Sequence, residues 1–103
     1  MLNQFVLVGR LSNEIIVKHN KAVLILKVPR NFKNENGEYE NDFIEIIVKG
    51  NIATNTKEYC KVGDILGAKG RIQSTTTNMP DGTVSTKMEL FGEKITFLSS
   101  KSE

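Results

Sequence analysis

The fold prediction starts from residues Leu26 to Lys49, which read LKVPRNFKNENGEYENDFIEIIVK. Two apolar runs are joined by a polar segment, with Phe32 just after the first run and Phe43 at the start of the second. Because side chains alternate between the two faces of a strand, the second run would present one apolar face and one mixed face. The apolar face takes Ile44, Ile46 and Val48, and the mixed face takes Phe43, Glu45, Ile47 and Lys49.

Both aromatic positions, 32 and 43, stand among positive charges. Arg30 and Lys33 flank Phe32 in the chain, and Lys49 shares the predicted outer face with Phe43. Proteins hold unpaired nucleic acid by stacking its bases on aromatic rings and by placing cations along its backbone. We therefore predict a small β domain that binds single strands.

Length and composition limit the chain to one globular domain. A chain of 103 residues builds one modest core, and 39% hydrophobic and 25% charged residues are ordinary values. The single cysteine, Cys60, cannot form an internal disulfide, which favours a reducing compartment. The N-terminus shows neither a signal peptide nor a membrane span. These features predict a cytoplasmic protein without contact to membranes.

The charges are unevenly distributed, although the formal net charge is only +2. Residues 1–33 hold six Lys or Arg against Glu14 alone, whereas residues 34–58 hold six acids against two lysines. The net charge is a weak argument for nucleic acid, and the concentration of cations beside Phe32 is a stronger one.

The segments before residue 50 predict three strands. Residues 2–11 form the first, with a bulge or close backbone approach at Gly9. Residues 22–28 form a strand covered on both faces, which Pro29 would end. Residues 34–41 have turn composition and predict a mobile hairpin loop before the third strand.

After Gly50 the spacing becomes helical. Asn51 is a candidate N-cap, Ile52, Thr56 and Cys60 recur on one side, and Gly63 is a candidate end, so we expect about two to three turns. Two strands follow, at residues 65–77 and 84–98. They are joined by a turn at Met79-Pro80-Asp81-Gly82, and the inward residues of the last strand are predicted to be Met88, Leu90 and Phe97.

Three strands, a helix and two further strands predict an all-β protein with the OB-fold. This fold is a five-stranded Greek-key barrel, here with one short helix between strands 3 and 4, and its second and third strands form the binding face. The predicted domain covers residues 1–98, followed by a short C-terminal end at residues 99–103.

Five segments resemble the OB domain of the bacterial single-stranded DNA-binding protein (SSB) family, in order and approximate spacing. They are MLNQFVLVGRL, RNFKNENGE, DFIEIIVKGN, KVGDILGAKGRIQ and ITFL. The resemblance extends from Met1 to Leu98. It implies sequence-nonspecific binding of single-stranded DNA in replication, recombination or repair, by a homotetramer or, as the other possibility, a dimer. It also implies that protomers join at the N-terminal strand, where we expect Phe5 and Leu7 to make the contact.

The family also implies four aromatic platforms, of which Phe32 and Phe43 match two. Lys49 and Thr77 stand where the family tends to have aromatic residues. Since a stacked base is worth roughly 1–3 kcal/mol, two missing platforms could remove about 2–6 kcal/mol per protomer. We therefore expect weaker and more salt-sensitive binding than in a typical member.

Two further departures concern length. The segment between Leu11 and Ala22 is a few residues shorter than usual. The chain ends at Glu103 without the family's long linker and acidic tip, which leaves open a naturally tailless form or a trimmed domain.

The candidate DNA-binding residues are two aromatic residues and six cations. They are Phe32, Phe43, Arg10, Arg30, Lys33, Lys49, Lys69 and Arg71, with Lys18, Lys27 and Lys87 as further cations. The structural alternatives are hairpin packing for Phe32, cross-strand packing for Phe43 and solvated surface charge for any single cation. Tyr39, placed in the predicted loop, contacts either DNA or nothing.

Catalytic and metal-binding patterns are missing from the sequence. His19 is the only histidine and has no catalytic partner near it, and there is no CxxC, HxxxH or GxxxxGK. We expect a binding protein without enzymatic activity, metal or cofactor, and a core thiol at Cys60.

Two alternatives remain open at this point. One is a tailless SSB-derived accessory protein resembling primosomal replication protein N, which would act mainly through contacts with replication proteins. The other is a structural oligomerisation module without a nucleic-acid role.

Overall fold

Five strands and one helix make up the structure, a computed structural model that describes residues 1–100. The elements are β1 (Phe5–Leu11), β2 (Lys21–Lys33), β3 (Tyr39–Lys49), α1 (Gly50–Tyr59), β4 (Ile65–Asn78) and β5 (Val84–Ser99). This order confirms the predicted sequence of three strands, a helix and two strands.

The five strands close into a barrel in the order β1-β2-β3-β5-β4. Neighbouring strands are antiparallel except β3 and β5, which pair in parallel at Ile47 and Phe91. The barrel and its single short helix after β3 confirm the predicted all-β OB-fold.

Alternate side chains of the strands fill the barrel. Ile46 and Val48 are fully buried and Ile44 is half-buried, which confirms the inner face of β3 that alternation predicted. The largest side chains with almost no exposed surface are Leu11, Leu24, Leu26, Ile46, Val48 and Leu66. Cys60 is buried just after α1, as predicted for a core thiol.

Two glycines allow strands to approach more closely than any other residue would. A Cβ added to Gly9 would lie 2.7 Å from the carbonyl oxygen of Lys27, which confirms the close approach predicted there. A Cβ added to Gly70 would overlap the carbonyl oxygen of Phe91, at a point where the β4–β5 register shifts. These glycines are therefore required by packing between strands.

The outer part of β4 and β5 forms an exposed two-stranded arm that ends in the predicted turn. The Met79 N–H donates to the carbonyl of Thr83 (2.8 Å), and the Gly82 N–H donates to the carbonyl of Met79 (3.0 Å). The Asp81 carboxylate accepts hydrogen bonds from the hydroxyl and the N–H of Thr83, which lowers the pKa of Asp81. The turn fixes the register of the whole arm, from Asn78 opposite Val84 inward.

The β2–β3 hairpin differs from the prediction in three respects. Pro29 does not end β2, because a register irregularity between Pro29 and Lys33 accommodates a residue that has no ladder donor. Tyr39 opens β3 opposite Lys33 and does not lie in the loop, which is limited to residues 34–38. The outer face of β2 is open, since Val23 remains exposed.

The ends of α1 also differ from the prediction. The N-cap is Lys49, which has no side-chain capping bond, and Asn51 lies inside the helix. The helix ends at Tyr59 rather than near Gly63, because the Cys60 N–H already caps the Thr56 carbonyl (2.9 Å). A separate turn follows, in which the Asp64 carboxylate accepts the N–H of Lys61 (2.8 Å).

Three apolar side chains do not point where the sequence predicted. Met88 and Phe97 are exposed, because the barrel core does not cover them, and of the three residues predicted to point inward only Leu90 is half-buried. Phe5 is 8% exposed and belongs to the barrel core, whereas Val6 and Val8 point outward from β1.

Of the predicted end at residues 99–103, Ser99 is the last residue of β5, and residues 101–103 lie outside the described residues. Within residues 1–100, no helix has the length and apolar character needed to cross a membrane.

Candidate nucleic-acid interface

The outward surfaces of β2 and β3, together with the part of β4 and β5 that faces them, form one continuous surface. We call it the groove face. It is formed by Lys21, Val23, Ile25, Lys27, Phe43, Glu45, Ile47, Lys49, Arg71, Lys87, Met88, Leu90 and Phe91. Its residues from β2 and β3 come from the outward faces of strands whose other faces build the core, so the fold itself holds them in place.

At one end of the groove face, three residues stand in one row across three strands. Arg10 is opposite Lys27 in the β1–β2 ladder, and Lys27 is opposite Phe43 in the β2–β3 ladder. All three are exposed, and the Phe43 side chain retains 61% of its surface. The Arg10 Nη1 donates to the carbonyl of Gly63 (2.9 Å), which restrains one end of the row.

The middle of the groove face is an apolar cleft with one acid. Ile25, Phe43, Glu45, Met88 and Leu90 line it together, so the arm forms one wall and β2–β3 the floor. Lys87 lines the neighbouring part of the same surface. The exposure of Met88, which contradicts its predicted place in the core, is explained by its position on this wall.

At the other end of the groove face, the Phe91 ring contacts two cations. The Lys49 Nζ is 4.8 Å from the centroid of the Phe91 ring, and the Arg71 Cζ is 5.0 Å from it. Arg71 also contacts the Glu93 carboxylate (3.3 Å) and the Gln73 side-chain oxygen (3.4 Å). The structure thus brings Lys49 and Arg71, both predicted site residues, to the same ring.

Phe91 was missed by the sequence analysis, although a usable signal was present. The turn at Met79–Gly82 fixes the β4–β5 register, and counting inward from that turn places Phe91 opposite Arg71. An aromatic residue opposite an arginine on the predicted binding side would have identified the position.

Phe32 and Lys33 lie at the irregular end of β2, next to the 34–38 loop. Phe32 is 66% exposed, and the Lys33 Nζ lies 5.7 Å from the ring centroid of Tyr39. Asn34 organises the loop, since its side-chain oxygen accepts the N–H groups of Asn36 and Glu38 (both 2.9 Å). An exposed ring and a cation are therefore placed together at the hairpin end.

Arg30 is occupied by acidic partners. Its Nη2 donates to Asp42 (2.9 Å), and Glu40 lies 3.7 Å from its Nη1. The hydrogen bond to Asp42 raises the pKa of Arg30, and the same bond lowers the pKa of Asp42. Because Asp42 immediately precedes Phe43, its side chain points to the opposite face of β3, so Arg30 does not share a face with the Phe43 ring.

The remaining candidate cations are dispersed. Lys69 pairs with Val6 and Lys94 in the β1–β4–β5 part of the barrel, not with β2 or β3. Lys18 forms an isolated bridge with Lys21. Thr77, at a position where an aromatic residue was expected, is exposed on the arm opposite Ser85.

The described residues contain no group of three or more His, Cys, Asp and Glu side chains that could hold a metal ion. Burial raises the pKa of the Cys60 thiol, and the charge of Asp64 adds to this effect. The Cys60 thiol is therefore protonated at neutral pH and poorly suited to act as a nucleophile.

Comparisons with known proteins agree on one family and one fold. The model of the single-strand binding protein family matches residues 2–98. The single-stranded DNA-binding protein 1 of Clostridium acetobutylicum is 34% identical over 108 residues, covering 99% of this chain and 98% of the relative. The single-stranded DNA-binding protein B of Bacillus subtilis is 32% identical, covering 98% and 94%.

A solved structure shows the same fold at lower identity. The Plasmodium falciparum SSB in complex with single-stranded DNA superposes with a TM-score of 0.72 at 20% identity, and the match covers 96% of each chain.

Proposed function

The chain belongs to the single-strand binding protein family, and on that premise we propose that it binds single-stranded DNA with little sequence preference. Its role is to hold or protect unwound DNA in replication, recombination or repair. The row Arg10–Lys27–Phe43 is the observation that carries the proposal, because it offers an exposed ring beside two cations on an open face.

The proposed mechanism is binding without catalysis. The ring of Phe43 stacks on a base while Lys27 and Arg10 contact the adjoining phosphates, since every base has a π-face and the backbone charge is independent of sequence. Phe32 provides a second ring at the hairpin end, with Lys33 beside it. Arg30 can contact DNA only if a phosphate displaces Asp42, so we assign Arg30 a smaller contribution to DNA binding than the sequence suggested. Lys69 is the weakest of the candidates, because its neighbours lie in another part of the barrel.

The binding unit is proposed to be residues 1–98, assembled as a homotetramer, with a dimer as the other form. Within residues 1–100, β1 pairs with β2 only at Arg10 and Leu11, so the remaining edge of β1 is open on that side. An open edge carrying the exposed side chains of Val6 and Val8 favours association with another copy. The lone buried thiol, Cys60, favours the reducing cytoplasm.

The second candidate function is an accessory role, in which the chain would act mainly through contacts with replication proteins. Such partners are compatible with the proposal, but two strongly exposed rings on the strands that bind oligonucleotides in OB-folds favour direct binding of DNA.

The proposal is tested by fluorescence anisotropy with a labelled dT oligonucleotide at two salt concentrations. Phe43→Ala and Phe32→Ala are each expected to weaken binding by about tenfold, the value of one stacked base. Tyr59→Ala is the matched control, because Tyr59 is equally exposed but lies on α1, outside the groove face. Weak binding that neither phenylalanine substitution changes would overturn the proposal.

A further inference from the structure

A second aromatic residue on the groove face also has cations beside its ring, as Phe43 does. Phe91 is half-buried, stands opposite Ile47 of β3 and opposite Arg71 of β4, and has the Lys49 ammonium over its ring. Ile47 and Lys49 are two residues apart on β3, so their side chains share a face of that strand, and the contact of Lys49 with the Phe91 ring places the ring on the same side.

We propose that Phe91, with Lys49 and Arg71, forms an additional subsite that stacks one base of single-stranded DNA and binds its phosphates. The subsite lies beside position 49, where the resemblance to the SSB family led us to expect an aromatic residue that this chain lacks. The subsite rests on the proposed function and adds to it an aromatic platform on β5, whereas Phe32 and Phe43 lie on β2 and β3.

The position of Phe91 suits a base other than the one on Phe43. Its partner Ile47 is four residues along β3 from Phe43, which corresponds to roughly 13 Å at the rise of a strand. The surface between the two rings is formed by Val23, Ile25, Glu45 and Ile47, so a strand of DNA crossing it meets three apolar side chains and one carboxylate. The two rings therefore serve different nucleotides of one continuous path.

The two cations do not prevent stacking on Phe91. A contact between an exposed ammonium and a ring is weaker than the stacking of a base on that ring. The Lys49 side chain is exposed and flexible, so its ammonium can leave the ring for a phosphate when a base arrives. The Arg71 guanidinium is planar and can stay beside the ring, stack on the base edge or donate to phosphate.

Glu93 opposes anion binding at this subsite. Its carboxylate is 3.3 Å from Arg71 Nη1, and the pair is exposed, with 45% and 57% of the two side chains accessible. An exposed pair of this kind is easily exchanged for another anion. The DNA backbone is therefore expected to take over Arg71, and Glu93→Gln should strengthen binding at low salt.

The competing explanation is that Phe91 only packs against its neighbours. Ile47 and Ile52 line the same depression, so an apolar side chain at position 91 has a structural use as well. Phe91→Leu keeps an apolar side chain of similar size and removes the π-face, whereas Phe91→Tyr keeps the ring.

The experiment measures the affinity of each variant for a labelled dT oligonucleotide and for an abasic oligonucleotide of the same length. Phe91→Leu is expected to weaken binding to dT by about tenfold and to leave binding to the abasic strand unchanged, with Phe91→Tyr close to wild type. Phe97→Leu is the matched control, since it makes the same change on the same strand outside the groove face. Thermal unfolding of each variant verifies that it is folded.

The possible outcomes separate the two claims. If Phe43→Ala reduces dT binding but Phe91→Leu does not, or if Phe91→Leu weakens binding to dT and abasic strands equally, the Phe91 subsite is refuted and the proposed function stands. If the wild type prefers neither strand, both claims fail. Loss of dT binding alone in Phe91→Leu, restored in Phe91→Tyr, establishes the subsite.

Discussion

Lys27 and Phe43 stand directly opposite each other in the β2–β3 ladder, so the most exposed ring of β3 has an ammonium-bearing side chain as its cross-strand neighbour. Both side chains lie on the outward faces of their strands. The alternation that builds the core therefore also builds the ring-and-cation pair. The side chains that we propose to bind DNA are therefore those on the strand faces that do not contribute to the core.

The first prediction concerns the salt dependence of DNA binding. Lys27→Gln should reduce the slope of log affinity against log salt by about 0.7, the value for one phosphate contact with a single strand. Lys61→Gln is the control, because Lys61 is exposed in the turn after α1 and should leave the slope unchanged. Anisotropy titrations over a series of salt concentrations measure both. Equal slopes for wild type and Lys27→Gln would exclude a phosphate contact at Lys27.

The second prediction concerns the acid on the groove face. Glu45 follows Phe43 by two residues on the same side of β3, and no cation within residues 1–100 forms a salt bridge with it. Glu45→Gln should therefore increase affinity for dT several-fold at low salt and less at high salt, because screening weakens the repulsion. Glu58→Gln on α1 should have no such effect. Weaker binding by Glu45→Gln would place the DNA path elsewhere.

The third prediction concerns the pair of Arg30 and Asp42 and its response to pH. The hydrogen bond from Arg30 holds the pKa of Asp42 below its ordinary value of 3.8. A carboxyl group with a depressed folded pKa contributes stability above its unfolded pKa and loses that contribution as the pH falls through the folded value. Wild type should therefore be more stable than Asp42→Asn at neutral pH, and this difference in the free energy of unfolding should vanish in strong acid.

Urea unfolding at a series of pH values measures this difference. Glu38→Gln, a change to an exposed loop residue without an ion pair among residues 1–100, should show no comparable pH dependence. A difference between wild type and Asp42→Asn that stays constant into strong acid would show that the ion pair does not contribute.

The fourth prediction concerns the closure of the barrel. A Cβ at Gly70 would overlap the Phe91 carbonyl oxygen and come within 2.9 Å of the Phe5 ring. Gly70→Ala should therefore destabilise the fold by about 1–3 kcal/mol, as overpacking does. Gly67→Ala on the same strand is the control, because its Cβ would meet its nearest neighbour at an ordinary 3.6 Å. Urea unfolding of both variants decides the matter, and equal stabilities would contradict the packing argument.

The fold and half of the site could be predicted because both depend on local alternation. The alternation from Phe43 to Lys49 predicts the inner and outer faces of β3, and the turn motif at Met79–Gly82 predicts the β4–β5 arm. The ends of α1 could not be predicted in this way, since the N-cap is Lys49 without a side-chain capping bond and the helix already ends where the Cys60 N–H donates to the Thr56 carbonyl.

The remaining errors have a common origin in contacts between strands. Arg30 looked like a free cation because its partner Asp42 is twelve residues away across a hairpin with irregular register. Phe91 was not singled out because its neighbours Lys49 and Arg71 belong to two other strands. Partners of this kind are determined by register, which a pattern within one segment does not contain.

The most direct test of the central claim compares the affinity of the wild-type chain for a dT oligonucleotide and for an abasic strand of the same length and charge. Stacking on Phe43 and Phe32 predicts that dT binds at least about tenfold more tightly, because each stacked base contributes roughly 1–3 kcal/mol. Equal affinities for the two strands would show that the chain binds only the phosphate backbone and would contradict the claim that its exposed rings receive unpaired bases.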